Sequence, residues 1–137
     1  MTLVVDASVV CKWFIAEEGS KAAARLLDHD EELLAPDLVI AEVANVLWRK
    51  QKVGQVLPEQ AEQAVAALPG FFAELAPAAR LATRALVIAR GLDHPVYDCL
   101  YLALAEQRGA HLVSADPRLK AKAKGTEWAR RVVGLRA

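Results

Sequence analysis

The sequence predicts an α/β domain layered around a parallel sheet, and three observations carry that prediction. Short apolar runs rich in valine and leucine alternate with longer segments whose apolar residues recur at helical spacing. The length, 137 residues, suits one hydrophobic core, which usually takes on the order of 100–150 residues, so a single domain over residues 1–137 is expected. Two acids, Asp6 and Asp116, come close behind two of the apolar runs, the place beyond the carboxyl ends of strands where such sheets gather functional groups.

Leu3-Val4-Val5 reads as a strand ending at Asp6, and Val9, Val10, Trp13 and Phe14 follow at helical spacing. Ser20 is the expected N-cap of a second helix carrying Ala22, Ala23, Leu26 and Leu27. Leu33-Leu34-Ala35 reads as a brief strand stopped by Pro36, after which Asp37 is expected to cap a longer helix. On that helix Val39, Ile40, Val43, Val46 and Leu47 form the apolar side, and Glu42, Asn45 and Arg49 fall near one another. Pro58-Glu59 starts an alanine-rich helix broken at Pro69-Gly70. Phe71 to Leu75 is expected as a strand, Ala78 to Ala89 as a helix ended by Gly91. His94-Pro95 leads into a helix that Gly109 terminates, and His111 to Ser114 is a strand. Asp116-Pro117 pairs a cap with proline at the first helical position, and Val132-Val133 supplies an edge strand.

Composition narrows the function. Hydrophobic residues make up 55% and charged residues 25% of the chain, which excludes a disordered or collagenous protein. Basic and acidic residues number 17 each, so bulk positive charge does not drive binding to nucleic acid. The charge is nevertheless uneven, because seven basic residues lie between Arg118 and Arg136 with only Glu127 against them. That tail can meet an anionic partner, or serve simply as a solvated surface. No apolar run approaches the ~18 residues a bilayer span needs. Met1-Thr2-Leu3-Val4-Val5 shows no basic leader or cleavage site, so a cytoplasmic protein with reduced, buried Cys11 and Cys99 is expected. His29, His94 and His111 lack metal-ligand spacing and read as solvated or internally satisfied.

Four acids stand in apolar or uncharged surroundings: Asp6 in LVVDASVV, Glu42 in VIAEVAN, Asp98 in PVYDCLYLALA and Asp116 in HLVSADP. Desolvating a carboxylate costs several kcal/mol unless something compensates its charge. No buried Arg or Lys is evident beside each acid, and a hard divalent cation is the simplest compensator for clustered oxygens. Taken singly, Asp6 and Asp116 serve equally well as helix N-caps, Glu42 as a mid-helix surface residue and Asp98 as a partner of the helix dipole. Four acids on separate elements, two of them at strand ends, are more specific than any one.

The segments LVVDAS, APDLVIAEVANVL, HPVYDCLYLALA and LVSADPRL, in this order and spacing, resemble the four signature blocks of the PIN domain, and more narrowly the VapC-type toxins of prokaryotic toxin–antitoxin pairs. The resemblance spans essentially the whole chain. It implies a three-layer α/β/α fold with a short central parallel sheet, and a divalent-metal-dependent endoribonuclease (Mg²⁺ or Mn²⁺) whose metal-binding and catalytic acids match Asp6, Glu42, Asp98 and Asp116. By the same resemblance Asp6 and Asp98 are primary ligands, Glu42 completes the set, and Asp116 holds a second metal or the attacking water. Ser8, Asn45 and Ser114 match supporting positions whose short polar side chains orient carboxylates or water. The last block reads Ser-Ala-Asp-Pro where many relatives carry a further acid or Thr-x-Asp, so a second metal site is incomplete on this pattern.

Hydrolysis of a phosphodiester by metal-activated water is expected to leave 5′-phosphate and 3′-hydroxyl ends. Arg118, Lys120, Lys122 and Lys124 are placed to hold the RNA backbone beside the site. The resemblance also implies a small cognate antitoxin as partner, and Leu47 and Trp48 offer an apolar face for a homodimer, or else ordinary core. Two rivals remain at this level. A haloacid-dehalogenase-like phosphatase also starts with a strand ending in Asp but needs a second acid two residues on, where this chain has Ser8. A catalytically idle protein-binding module of the same fold is the other, and the four intact acids speak against it.

Overall fold

The structure, a computed structural model, describes residues 1–28 and 30–135; His29, Arg136 and the reading of them above lie outside the described residues. Five strands, β1 (Thr2–Val5), β2 (Glu32–Pro36), β3 (Glu74–Ala76), β4 (His111–Ser114) and β5 (Val132–Gly134), form one sheet in the order β3-β2-β1-β4-β5. Every pairing is parallel, with Val4 opposite Leu34 on one side and Leu112 on the other. Between the strands run α1 (Ala7–Val10), continued by a 3₁₀ turn to Trp13, α2 (Ser20–Arg25), α3 (Leu38–Lys52), α4 (Pro58–Ala67), α5 (Ala78–Leu92), α6 (Val96–Arg108) and α7 (Pro117–Ala123). The chain moves outward from β1 to β3, then returns to β4 on the other flank of β1. Right-handed crossovers in both halves therefore put helices on both faces of the sheet, the three-layer arrangement expected.

Because both faces are covered, the central strands are apolar throughout instead of alternating: Val4, Val5 and Leu112 are wholly buried. α6 lies across β1, β2 and β4 with α5 packed behind it, and its residues from Cys99 to Ala105 are buried without interruption. The order reverses between β1 and β4, so the crevice at their carboxyl ends is the switch point of the sheet. Asp6 and Asp116 emerge there, and the Asp6 backbone N–H donates to the Val113 carbonyl at 3.2 Å, tying the two strand ends together.

Several local expectations are corrected. The helix of residues 78–92 runs through Gly91 to Leu92 and is closed by Asp93 at φ 52°. Gly91 serves packing instead of termination, since a Cβ there would come within 3.2 Å of the Trp128 ring. Asp37 precedes α3 without capping it; its Oδ1 accepts the backbone N–H of Ala78 at 3.0 Å and so caps α5, 41 residues away. Ser20 is the first residue of α2, not its N-cap, and its hydroxyl donates to the Ile15 carbonyl while accepting from the Glu17 N–H. Pro36 ends β2 from inside the strand. Phe71 closes a 3₁₀ turn and only Glu74–Ala76 is strand, because Phe71 is held by Trp13 and Phe14 in an aromatic cluster. Gly109, by contrast, ends α6 in the left-handed conformation as expected.

Candidate active site

Asp6 is placed by the end of β1 and by its role as N-cap of α1. Its Oδ1 accepts the Val9 N–H at 3.2 Å and the Ser8 hydroxyl at 2.5 Å. With 7% of its surface exposed, burial pushes its carboxyl up to about 6, against the lowering pull of the Ser114 and Ser8 hydroxyls and the Val9 N–H; the charge of Asp98 pushes the same way as burial. Ser8 joins two loops, donating to Asp6 and accepting the Ala115 N–H at 3.0 Å.

Glu42 sits one turn into α3, half-buried. The Tyr101 hydroxyl, itself fully buried on α6, donates to Oε1 at 2.5 Å. Burial raises the Glu42 carboxyl above its ordinary range in spite of that bond, with Asp98 and Asp6 adding to the effect. Tyr101 is held well above the usual phenol range by burial and by the negative charges of Glu42, Asp6 and Asp98. Asp98 lies in the first turn of α6, where His94 Nε2 approaches Oδ2 at 2.7 Å. Thus Asp6, Glu42 and Asp98 come from three elements, and the charge of Asp98 helps raise both Asp6 and Glu42.

Asp116 takes a different position. It caps α7 by accepting the Arg118 N–H at 2.9 Å, and the Arg118 guanidinium closes on its carboxylate, which lowers its pKa below the ordinary range. The cation beside Asp116 is an exposed one, with 81% of the Arg118 side chain open to solvent, so the expectation of no buried Arg or Lys beside these acids is not contradicted there. Ser114 is buried between the two strand ends, its hydroxyl accepting the Asp116 N–H at 3.1 Å. Asn45 is exposed on α3, three residues beyond Glu42. Lys120 is exposed and borders a cavity of about 520 Å³ beside Ser114 and Asp116.

One residue escaped sequence reasoning. Tyr101 shares a helix face with Asp98 at i, i+3, a spacing that signals a common target, yet an aromatic in an apolar helix reads first as packing. His94 is internally satisfied through Asp98, one of the two roles expected of it, with 8% of its side chain exposed. Leu47 belongs to the core, whereas Trp48 is exposed with Lys52 Nζ 4.6 Å above its ring. Cys11 and Cys99 are free and buried, and burial pushes their thiols up to about 12 and about 11.

Among the described residues no three His, Cys, Asp or Glu side chains already form a metal cage. The chemistry of the donors still fits a hard cation: three carboxylates offer oxygen, and two of them, Asp6 and Glu42, are pushed upward chiefly by burial, with the charge of Asp98 adding to both. The fold and site thus define a parallel α/β domain with an acidic pocket at its switch point. The chain belongs to the PIN domain family, whose model matches residues 3–125.

Ribonuclease VapC3 of Pyrobaculum aerophilum is 36% identical over 124 residues, covering 89% of this chain and 95% of that protein. The crystal structure of PAE2754 from Pyrobaculum aerophilum matches with a TM-score of 0.68 at 25% identity, over 98% of this chain and 92% of that one. A toxin–antitoxin complex from Klebsiella pneumoniae contains a chain with a TM-score of 0.67 at 16% identity, over 96% of this chain and 95% of that one; at that identity it speaks for the fold alone.

Proposed function

We propose that this protein is a divalent-metal-dependent endoribonuclease and the toxin of a toxin–antitoxin pair. The observation that carries the reading is the gathering of Asp6, Glu42 and Asp98 at the switch point, where the charge of Asp98 helps raise the other two, in a chain whose relative at 36% identity is named a ribonuclease. In this reading Asp6, Asp98 and Glu42 hold Mg²⁺ or Mn²⁺, and rotation of their side chains closes the set. Such a cation supplies neutralisation of phosphate charge and acidification of water at neutral pH.

The chain's own residues prepare that chemistry. Ser8 and Ser114 hold Asp6 in one orientation, Tyr101 fixes one oxygen of Glu42, and His94 fixes one oxygen of Asp98. Asp116 borders the same crevice as Ser114 and, in this reading, holds a second metal or the attacking water. Trp48, Val53 and Leu57 leave an exposed apolar surface around α3 and α4, which supports a protein partner there, a second copy of the chain or an antitoxin.

The test is cleavage of end-labelled structured RNA by the purified, partner-free chain with Mg²⁺, with Mn²⁺ and with EDTA, beside Asp6→Asn and Asp98→Asn. Metal-dependent cutting that leaves 5′-phosphates and is lost in both variants is the expected result. A circular RNA in parallel separates internal cutting from trimming at ends. No cutting of any RNA, together with no metal binding by calorimetry, overturns the proposal and leaves an acidic protein-binding surface.

A further inference from the structure

Arg118 occupies both oxygens of Asp116: its Nε lies 3.1 Å from Oδ1 and 3.1 Å from Oδ2, and Nη2 lies 2.7 Å from Oδ2. With that fork closed, the Asp116 charge is balanced by a guanidinium, whereas Asp6 and Glu42 have no ion pair among the described residues and Asp98 has His94. The pair is nevertheless held in water, since the Arg118 side chain is 81% exposed, and ion pairs so exposed are weak. A guanidinium exchanges one oxyanion for another readily, because two oxygens of a carboxylate or of a phosphate fit the same fork.

There is a second place for it to go. Arg118 also borders a cavity of about 510 Å³ between the Asp93–Asp98 turn and α7, where it meets His94, Asp98 and Lys122. Lys122 follows four residues later, on the same face of α7, and its ion pair is a loose 3.9 Å approach to the fully exposed Asp93. Clustered carboxylates repel a phosphodiester, so a strand approaching them needs cations at the rim. Arg118 and Lys122 are the cations bordering this cavity.

We infer that Arg118 is an exchangeable clamp: it closes on Asp116 in the RNA-free chain, and moves with Lys122 onto a backbone phosphate in this cavity when RNA arrives, releasing the Asp116 carboxylate to the crevice. The inference rests on the nuclease reading above. It assigns Arg118 two opposed effects, holding RNA and masking an acid, which a plain surface charge does not have.

The experiment uses the full chain as wild type, Arg118→Ala, Arg118→Lys and Lys122→Ala, all at exposed positions and checked for folding by circular dichroism. Mn²⁺ affinity is measured by calorimetry without RNA, and binding of a fluorescent single-stranded RNA by anisotropy in EDTA across a salt series. Arg118→Ala is expected to bind Mn²⁺ several-fold more tightly, to bind RNA about tenfold more weakly, and to flatten the salt dependence by about 0.7, the slope of one single-strand phosphate contact. Arg118→Lys recovers part of the RNA affinity through its charge while leaving Asp116 unmasked. Lys122→Ala weakens RNA binding with Mn²⁺ affinity unchanged. If the wild type cuts RNA but Arg118→Ala matches it in Mn²⁺ affinity or in RNA affinity, the clamp alone is overturned. If the wild type neither binds nor cuts RNA, the nuclease reading falls and the clamp falls with it.

Discussion

Replacing Asp6 with asparagine is expected to stabilise the metal-free protein. The Asp6 carboxyl is raised from 3.8 to about 6, chiefly by burial. A raised acid favours the fold while protonated: its contribution is fully present below the unfolded value and is lost as pH rises through the folded one. The loss between those limits is about 3 kcal/mol, at about 1.36 kcal/mol per tenfold change in proton affinity. Asparagine keeps an oxygen for the Val9 N–H and the Ser8 hydroxyl but brings an NH₂ that needs an acceptor, at a cost of about 1 kcal/mol or more. The net gain at pH 7.5 in EDTA is therefore roughly 1–2 kcal/mol, or a rise in Tm of roughly 3–10 °C for a domain of this size. At pH 4.5 most wild-type molecules carry a protonated Asp6, and the gap closes. Saturating Mn²⁺ reverses the ranking, because it stabilises the wild type and finds an impaired site in the variant. Thermal unfolding followed by circular dichroism reads all of these. An Asp6→Asn chain that is less stable than wild type in EDTA at pH 7.5, or a gap that does not change between pH 4.5 and 7.5, refutes the reasoning.

Other expectations follow from the same geometry. Tyr101→Phe removes the hydroxyl on Glu42 and is expected to lower single-turnover cleavage about tenfold while costing roughly 1–2 kcal/mol in urea unfolding; unchanged cleavage with lowered stability would make Tyr101 a packing residue only. Asp37→Ala removes the cap on α5 and is expected to cost about 1 kcal/mol with cleavage unaffected, because Asp37 touches Ala78 and not the acidic cluster. Neither cysteine of the native protein is expected to react with a thiol reagent at pH 8 until denaturant is added, given the burial that raises both thiols; rapid labelling of the native chain would contradict that placement.

What was legible in the sequence is what depends on neighbours a few residues apart. The strand at His111–Ser114, the Asp-Pro start of α7, the Asp6 cap and the Gly109 stop are local, and each stands as read. The acids at two strand ends were legible because a parallel sheet sends its strand ends to one edge. Contacts made across the chain were not. Tyr101 meets Glu42 across 59 residues and Asp37 meets Ala78 across 41, and no periodicity encodes either pairing. Gly91 was misread because a glycine late in a helix looks the same whether it ends the helix or admits a tryptophan ring. Asn45 shares its helix with Glu42 but lies three residues on, about 60° around the axis at 3.6 residues per turn, which is enough to leave it in solvent. The Arg118 clamp was within reach, since an arginine two residues behind an N-cap aspartate can fold back on it, but a run of basic residues reads first as a surface.

The central claim is that Asp6, Glu42 and Asp98 act as one unit. It is tested most directly by single-turnover cleavage of a circular RNA in Mn²⁺ by Asp6→Asn, Glu42→Gln, Asp98→Asn and the Asp6→Asn/Asp98→Asn double variant, each confirmed folded. The account predicts a loss of more than about 100-fold for each single variant, and little further loss in the double, since groups holding one ion fail together. Losses that are small and multiply between Asp6 and Asp98 would contradict it, as would a single variant that cuts at the wild-type rate.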